Sequence, residues 1–427
     1  MALIKPFNGI RYNQAKVGDL SAVVTPPYDV ISPEEEEFYL QQHPNNIVRL
    51  ILPRKNSSAD NYSHAAELLR SWLNSGVLIQ EEKPCIYACI QEFELDGKIR
   101  QRLGITCLVR LEDFESKTIL PHENIMTKPL EDRLNLIRAT RANFDSVFGL
   151  HPDGHIGEIL KPFLARPPDA SARDKDGVKC DLYCISDHEA IKAISETLAQ
   201  KSILIADGHH RYSAALAYRN EMRTLYGGCA SDAPYEFIMM TLVSLEDKGL
   251  VILPTHRLVR NVKGFNPESF LSRLSELFEV TKTPPEELEQ TVSVIGKNKT
   301  AFGLYLGNAN SYAIQIKPDV RPEKLIQSSG SDALKRLDVS ILHSLILEKI
   351  LGIGNQQFAA GTNVSYTRDI PNAMRLVDNG EYQAFFLINP TKVEEVKEIA
   401  STGERMPQKS TFFYPKLLTG MVLRVME

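Results

Sequence analysis

At residues 203–219 a short buried-strand pattern runs directly into a helix pattern, and the junction is made of charged residues, histidines and one glycine: Asp207-Gly208-His209-His210-Arg211. Ile203, Leu204 and Ile205 form an apolar run of the kind a buried strand carries. From Tyr212 to Arg219 the composition favours helix, with Ala214, Ala215, Leu216 and Ala217 suited to a packed face. Two apolar segments joined this tightly constrain the chain to a strand–turn–helix unit. Polar residues packed into such a joint conflict with simple core building and point to a ligand. Gly208 lets backbone approach a ligand closely, while free amide groups and the positive end of a helix dipole favour an anion. His209, His210 and Arg211 can donate to phosphate oxygens, and Asp207 can bind a metal or take a proton.

The chain has 427 residues, which is long for one core and predicts more than one domain. Its texture changes near residue 260, so the expected division is 1–260, an α/β catalytic region holding the turn, and 261–427, a C-terminal α+β domain whose last segment completes the site. With 49 basic against 54 acidic residues the net charge is −5, which gives no global attraction for nucleic acid. An 18-residue apolar run and a secretory h-region are both missing, so the expectation is a cytoplasmic protein with no membrane partner. Cys85/Cys89 and Cys180/Cys184 lie in apolar extended segments and read as buried free thiols.

Elsewhere the pattern predicts a capped helix after Ser32-Pro33, a helix over 60–74 with Ala65, Leu68, Leu69 and Trp72 on one face, and two strands, 85–95 and 98–111, joined at Asp96-Gly97. A helix over 131–143 carries Arg133, Arg138 and Arg141, the last two on one face. Residues 166–177 read as a loop. A strand at 179–185, a helix at 187–199 and the opening unit form a β-α-β-α run. Further on, a helix over 267–278, a second near 285–296, a hairpin near 300–316 and a helix over 337–351 are expected.

Several segments together resemble a bacterial and archaeal family of unknown function that is labelled ParB-like. They are Pro26-Pro27-Tyr28-Asp29-Val30, Pro121-His122-Glu123, Asp132-Arg133, Ala206 to Tyr212, Pro254-Thr255-His256-Arg257 and Met406 to Lys416. The resemblance covers nearly the whole chain. More distantly, the Asp207–Arg211 turn is similar to the phosphate-binding turn of the ParB/sulfiredoxin superfamily, which includes partition proteins, sulfiredoxin and a free-serine kinase. This implies an α+β fold: a ParB/sulfiredoxin-like core elaborated by extra α/β segments and a C-terminal α+β domain.

By that analogy Gly208, His209, His210 and Arg211 hold a phosphate or diphosphate, and Asp207 places Mg²⁺ or the acceptor hydroxyl. Phosphoryl transfer needs cations around the moving group and a base for the acceptor. Asp29, His122, Glu123 and Asp207 are the catalytic candidates. Arg133, Arg141, His256, Arg257, Lys409, Ser410 and Thr411 are the additional phosphate or nucleotide ligands. The expected activity is a phosphotransferase using ATP, ADP or diphosphate on a small hydroxyl acceptor, free L-serine by the analogy, or the reverse reaction on phosphoserine. The alternative is a nucleotide-gated ParB-like protein acting on DNA or a protein partner, against which the net charge counts. A metal-dependent hydrolase using His122, Glu123, His209, His210 and His256 is the weaker reading, because adjacent helical residues diverge by about 100° and His209 and His210 would rarely share one metal.

Overall fold

The computed structural model describes residues 2–54, 60–123, 127–228, 230–354, 357–358 and 361–426. The chain forms two compact units, one of residues 1–121, 125–251 and 413–427, the other of residues 122–124 and 252–412. The final segment from Phe413 onward therefore belongs to the first unit.

The first unit is organised by a nine-stranded mixed sheet. Its strands are β1 (Ile4–Lys5), β2 (Ile86–Leu95), β3 (Lys98–Arg110), β4 (Ile119–Leu120), β5 (Val147–His151), β6 (Ala170–Arg173), β7 (Lys179–Ile185), β8 (Ile203–Asp207) and β9 (Phe237–Ser244). The order is β4-β8-β5-β9-β3-β2-β7-β6, with β1 beside β3. The pairs β8–β4 and β9–β5 are parallel and the rest antiparallel. At the centre is the β2–β3 hairpin. Its two turn residues, Asp96 and Gly97, have φ of 53° and 68°, as a two-residue turn matching the strand twist requires.

Helix α1 (Asn61–Asn74) starts where the Asp60 side chain accepts the amides of Tyr62 and Ser63, and it buries Ala65, Leu69 and Trp72 along one face. The helix over Pro33–Gln42 has a full capping box, Ser32 with Glu35. Helix α2 spans Thr127–Thr140, α3 His188–Ala199 and α4 His209–Leu225. One expectation changes here: residues 166–177 contain β6. The β-α-β-α run is present, with β7 and β8 not neighbours in the sheet. The run from 179 to 219 is thus helix and strand in sequence without being one adjacent βαβ unit, because β5, β9, β3 and β2 intervene.

The second unit is built on a six-stranded antiparallel sheet. Its strands, β10 (His256–Val259), β11 (Phe278–Lys282), β12 (Ala301–Tyr305), β13 (Ser311–Ile316), β14 (Val364–Thr367) and β15 (Ala384–Ile388), lie in the order β11-β13-β12-β15-β10-β14. Phe302, Leu304, Ile314, Phe386 and Ile388 face a core shared with helix Pro267–Leu277 and residues 341–350. The single helix expected over 337–351 is instead one α-turn, Asp338–Ile341, followed by a π-helix, Leu342–Ile350.

Cys85, Cys89, Cys107 and Cys180 are buried free thiols and Cys184 is partly exposed, while Cys229 lies outside the described residues. Among the described residues no helix is long and apolar enough to cross a membrane.

One buried polar group ties the C-terminal segment to the hairpin. Arg102 on β3 donates to the carbonyls of Tyr414 and Pro415, at 3.1 and 2.5 Å, and to Oε1 of Gln91 on β2 at 2.5 Å. Gln91 in turn donates to the Lys416 carbonyl at 2.8 Å. Burial pulls the Arg102 guanidinium down to about 10, so it stays charged at neutral pH. Replacing Arg102 by Met leaves three acceptors without their donor in a buried place. The expected loss is roughly 2–4 kcal/mol in urea unfolding of the full chain.

Candidate functional site

Strand β8 is buried along its apolar residues, Ile203 to Ala206, and reaches partial exposure only at Asp207. Its pairing with β5 slips between Ile205, opposite Gly149, and Asp207, opposite Phe148. Such a bulge re-aims the side chain that follows it. Gly208 comes next with φ of 91° as the N-cap of α4. A Cβ there would lie 2.9 Å from the Arg211 guanidinium carbon. Glycine is thus required twice, by the left-handed backbone and by the side chain that folds back over it.

Arg211 is the centre of the site. Its Nη2 donates to Asp207 Oδ2 at 3.0 Å, its Nη1 to the Ser146 carbonyl at 2.5 Å, and Nη1 stands 3.3 Å from Asp145 Oδ2. The other Asp207 oxygen, Oδ1, accepts from Lys416 Nζ at 3.1 Å. Two carboxylates and two cations alternate through this chain of contacts. Burial lowers Arg211, but Asp145, Asp207 and Asp29 outweigh it and hold the guanidinium above its ordinary value. Burial pushes Asp207 up, and the charges of Lys416 and Arg211 reverse this and keep it well below the usual carboxylate range. His209, buried as the first residue of α4, lowers Asp207 further. For Asp145 the order is opposite: burial dominates and raises it, against Arg211 and Arg133.

Arg133, on α2, is buried against the Tyr28 ring, 3.9 Å from guanidinium carbon to ring centre. It pairs with Asp132 and donates to the Ile51 carbonyl at 2.8 Å. Asp29, in the turn after Pro26-Pro27, is exposed and its charge reaches Arg211. The first unit therefore gathers Asp29, Arg133, Asp207, Gly208, His209, His210 and Arg211 on or near one joint. Arg141 departs from the expectation. It lies beyond the end of α2 with φ of 48°, is exposed, and does not share a helix face with Arg138, which pairs with Glu221.

The remaining expected residues lie in the second unit, where they hold one another. His122 Nε2 and Thr411 Oγ1 are 2.9 Å apart, and Glu123 Oε1 accepts the Lys409 amide at 2.7 Å. Ser410 donates to the Pro407 carbonyl at 2.5 Å. Fully buried Arg257 donates to the carbonyls of Thr255 and Lys409 and lies over the Tyr366 ring. His256 Nδ1 accepts the Ile388 amide at 3.2 Å. Burial, helped by Arg257, pulls this imidazole down to about 4, so it is neutral at physiological pH. These contacts use the backbone of the 405–411 run, which is why so polar a segment can pack.

The metal expected on Asp207 finds no multi-ligand site around it. Both its oxygens face cations, and among the described residues no group of three or more His, Cys, Asp or Glu side chains could hold a metal ion. Sequence reading missed Asp145 and Lys416. Lys416 stands at the end of the aromatic Phe412–Pro415 run, a visible oddity, whereas Asp145 sits in an irregular segment with no periodic signal.

The chain belongs to the family described as "Protein of unknown function (DUF1015)", whose model matches residues 4–340. No curated protein matches it. Among solved structures it is similar to a conserved hypothetical protein from Pyrococcus furiosus, with 16% identity, 73% of this chain and 92% of that chain covered, and a TM-score of 0.34. A free serine kinase in complex with AMP is 16% identical over 72% of this chain and 86% of that chain, with a TM-score of 0.35. SbnI with a C-terminal truncation, from Staphylococcus aureus, is 11% identical over 74% and 85%, with a TM-score of 0.36. Likeness at this distance defines no chemistry for this chain.

Two outcomes test the geometry. Gly208→Ala should cost about 2 kcal/mol or more in chemical denaturation, from backbone strain and displacement of Arg211. Asp207, depressed in the folded chain, contributes stability that is complete above its unfolded value of about 3.9 and is lost as pH falls below that. Asp207→Asn should therefore flatten the loss of stability between about pH 4 and pH 2, read from urea unfolding at each pH.

Proposed function

We propose that the Asp207–Arg211 turn is the donor-phosphate site of a small-molecule phosphotransferase, with a nucleotide (ATP or ADP) or diphosphate as donor and free L-serine as acceptor. The reading takes β8, the turn and α4 as a ParB/sulfiredoxin-like core. The observation that supports it most is Arg211 held rigid between Asp145 and Asp207 at the start of a 17-residue helix, with Lys416 on the far oxygen of Asp207.

Transfer of a phosphoryl group asks little covalent chemistry of a protein and much electrostatic positioning. The first-turn amides of α4, with His209 and His210, would receive the donor's phosphate oxygens. Arg211, tied to Asp207, Asp145 and the Ser146 carbonyl, stays in place rather than swinging out as a clamp. It serves as a fixed charge, ordered before the donor arrives and requiring no reorganisation during transfer. Lys416, which donates to the other oxygen of Asp207, supplies the second cation. Asp207 is too acidic to accept a proton at neutral pH, so its role is to orient the two cations. The acceptor's proton goes instead to Asp29, the exposed carboxylate beside the cluster, as the serine oxygen bonds to phosphorus and the donor P–O bond breaks. The same groups serve the reverse reaction. No step is assigned to a protein-held Mg²⁺, since both Asp207 oxygens face cations and no group of three or more ligand side chains is found among the described residues.

Full-length protein incubated with L-serine, Mg²⁺ and ATP, ADP or diphosphate in turn should form phosphoserine with at least one donor. No phosphoserine with any of the three contradicts the acceptor assignment. Arg211→Lys keeps the charge but not the two-sided geometry, and should lower kcat roughly 10²-fold. Lys416→Ala should act mainly on the KM for the donor.

A further inference from the structure

The second unit contains a cavity of about 420 Å³ that the reading above does not use. Its walls come from four places: residues 326–335, the α-turn and the π-helix that follows it, Phe358 with Tyr366, and the polar run at 405–408. The volume lies in the range of small-molecule sites. The wall combines apolar and aromatic side chains with polar ones, and cations outnumber carboxylates in it. Half-buried Lys335 and Arg405 both line it, against one carboxylate, the exposed Glu348.

Two polar groups in this wall are left without partners. The Ser340 hydroxyl and His343 Nε2 are both buried with no hydrogen-bond partner among the described residues. Leaving a buried polar atom unmet costs stability unless a ligand or water completes it. His343 is the second residue of the π-helix, a wide-turn geometry that recurs at functional sites because it displaces side chains from the regular helical positions. Its ring is stacked on Phe358, with centres 4.8 Å apart and planes 21° from parallel. Burial and the charge of Arg257 keep the imidazole neutral, so it offers one donor and one acceptor rather than a further cation. Tyr366, braced from behind by Arg257, adds a second aromatic face to the lining.

We propose that this cavity binds a small organic anion carrying a planar ring: the anionic group meets Lys335 and Arg405, a polar atom of the ligand satisfies Ser340 and His343, and the ring lies against Phe358 and Tyr366. The motifs His256-Arg257 and Met406 to Thr411 then have a purpose in their own unit, as the scaffold of this wall. This assignment stands whether or not the phosphotransfer reading holds, since it uses none of the same residues.

The test is titration of full-length protein with phenyl phosphate, benzoate and inorganic phosphate, followed by saturation-transfer NMR and calorimetry. Saturable binding of a ring-bearing anion is expected, weakened about 10-fold by Lys335→Ala and by Ser340→Ala. Inorganic phosphate alone should bind at least 10-fold more weakly than phenyl phosphate. The proposal is overturned if none of the three probes binds saturably, or if inorganic phosphate binds as tightly as the aryl compounds. It is also overturned if binding survives Lys335→Ala and Ser340→Ala unchanged but is lost in Arg211→Lys. Thermal unfolding of each variant separates loss of binding from loss of fold.

Discussion

Arg211 between Asp145 and Asp207 is the interaction on which the rest of the first unit's site depends. A buried guanidinium is costly unless carboxylates and carbonyl oxygens surround it, and here two carboxylates and the Ser146 carbonyl do so. Each support then imposes its own demand. Asp207 must be re-aimed by a bulge at the end of β8, and Gly208 must lack a Cβ so that the guanidinium can lie over the backbone. The helix that begins at His209 must start at that point. A turn that could be a generic strand–helix connection is thereby locked into one geometry.

A second constraint comes from the far end of the chain. Lys416 reaches Asp207 because Arg102 and Gln91, on the central hairpin, hold the carbonyls of residues 414–416. Phe413 packs edge-on against Phe148, and Tyr414 against Phe93, which adds apolar contact to the same segment. The hairpin is the most extensively paired part of the sheet, so the second cation of the site hangs from a rigid element. An exposed Lys on a loose tail could not hold Asp207 so far below its usual range.

Local patterns were legible in the sequence where local physics decides them. The Asp96-Gly97 turn, the Ser32 cap and the strand–turn–helix at 203–225 follow from turn chemistry, capping and periodicity. The pairing of distant strands did not follow, because β7 and β8 carry the same apolar texture whether or not they are neighbours. Asp145 was invisible for a similar reason: its meaning comes first from Arg211, 66 positions later in the numbering. The grouping of candidate residues into a single site also went beyond what residue type can decide. His122, Glu123, His256, Arg257, Lys409, Ser410 and Thr411 are polar residues in an apolar setting, as ligand-binding groups are. In the structure their contacts with one another and with backbone account for much of that polarity. A buried polar residue announces that it has a partner, and the sequence does not say whether the partner is backbone, side chain or ligand.

The central claim is that the pre-ordered Arg211 cluster makes the start of α4 an anion site. A crystal structure of the protein soaked with diphosphate tests this most directly. The account predicts diphosphate density on the amides of residues 208–211, within hydrogen-bond reach of Lys416, and an Arg211 that has not moved from Asp145 and Asp207. Arg211 swinging away from both carboxylates to meet the anion, or diphosphate absent from this turn at saturating concentration, would contradict it.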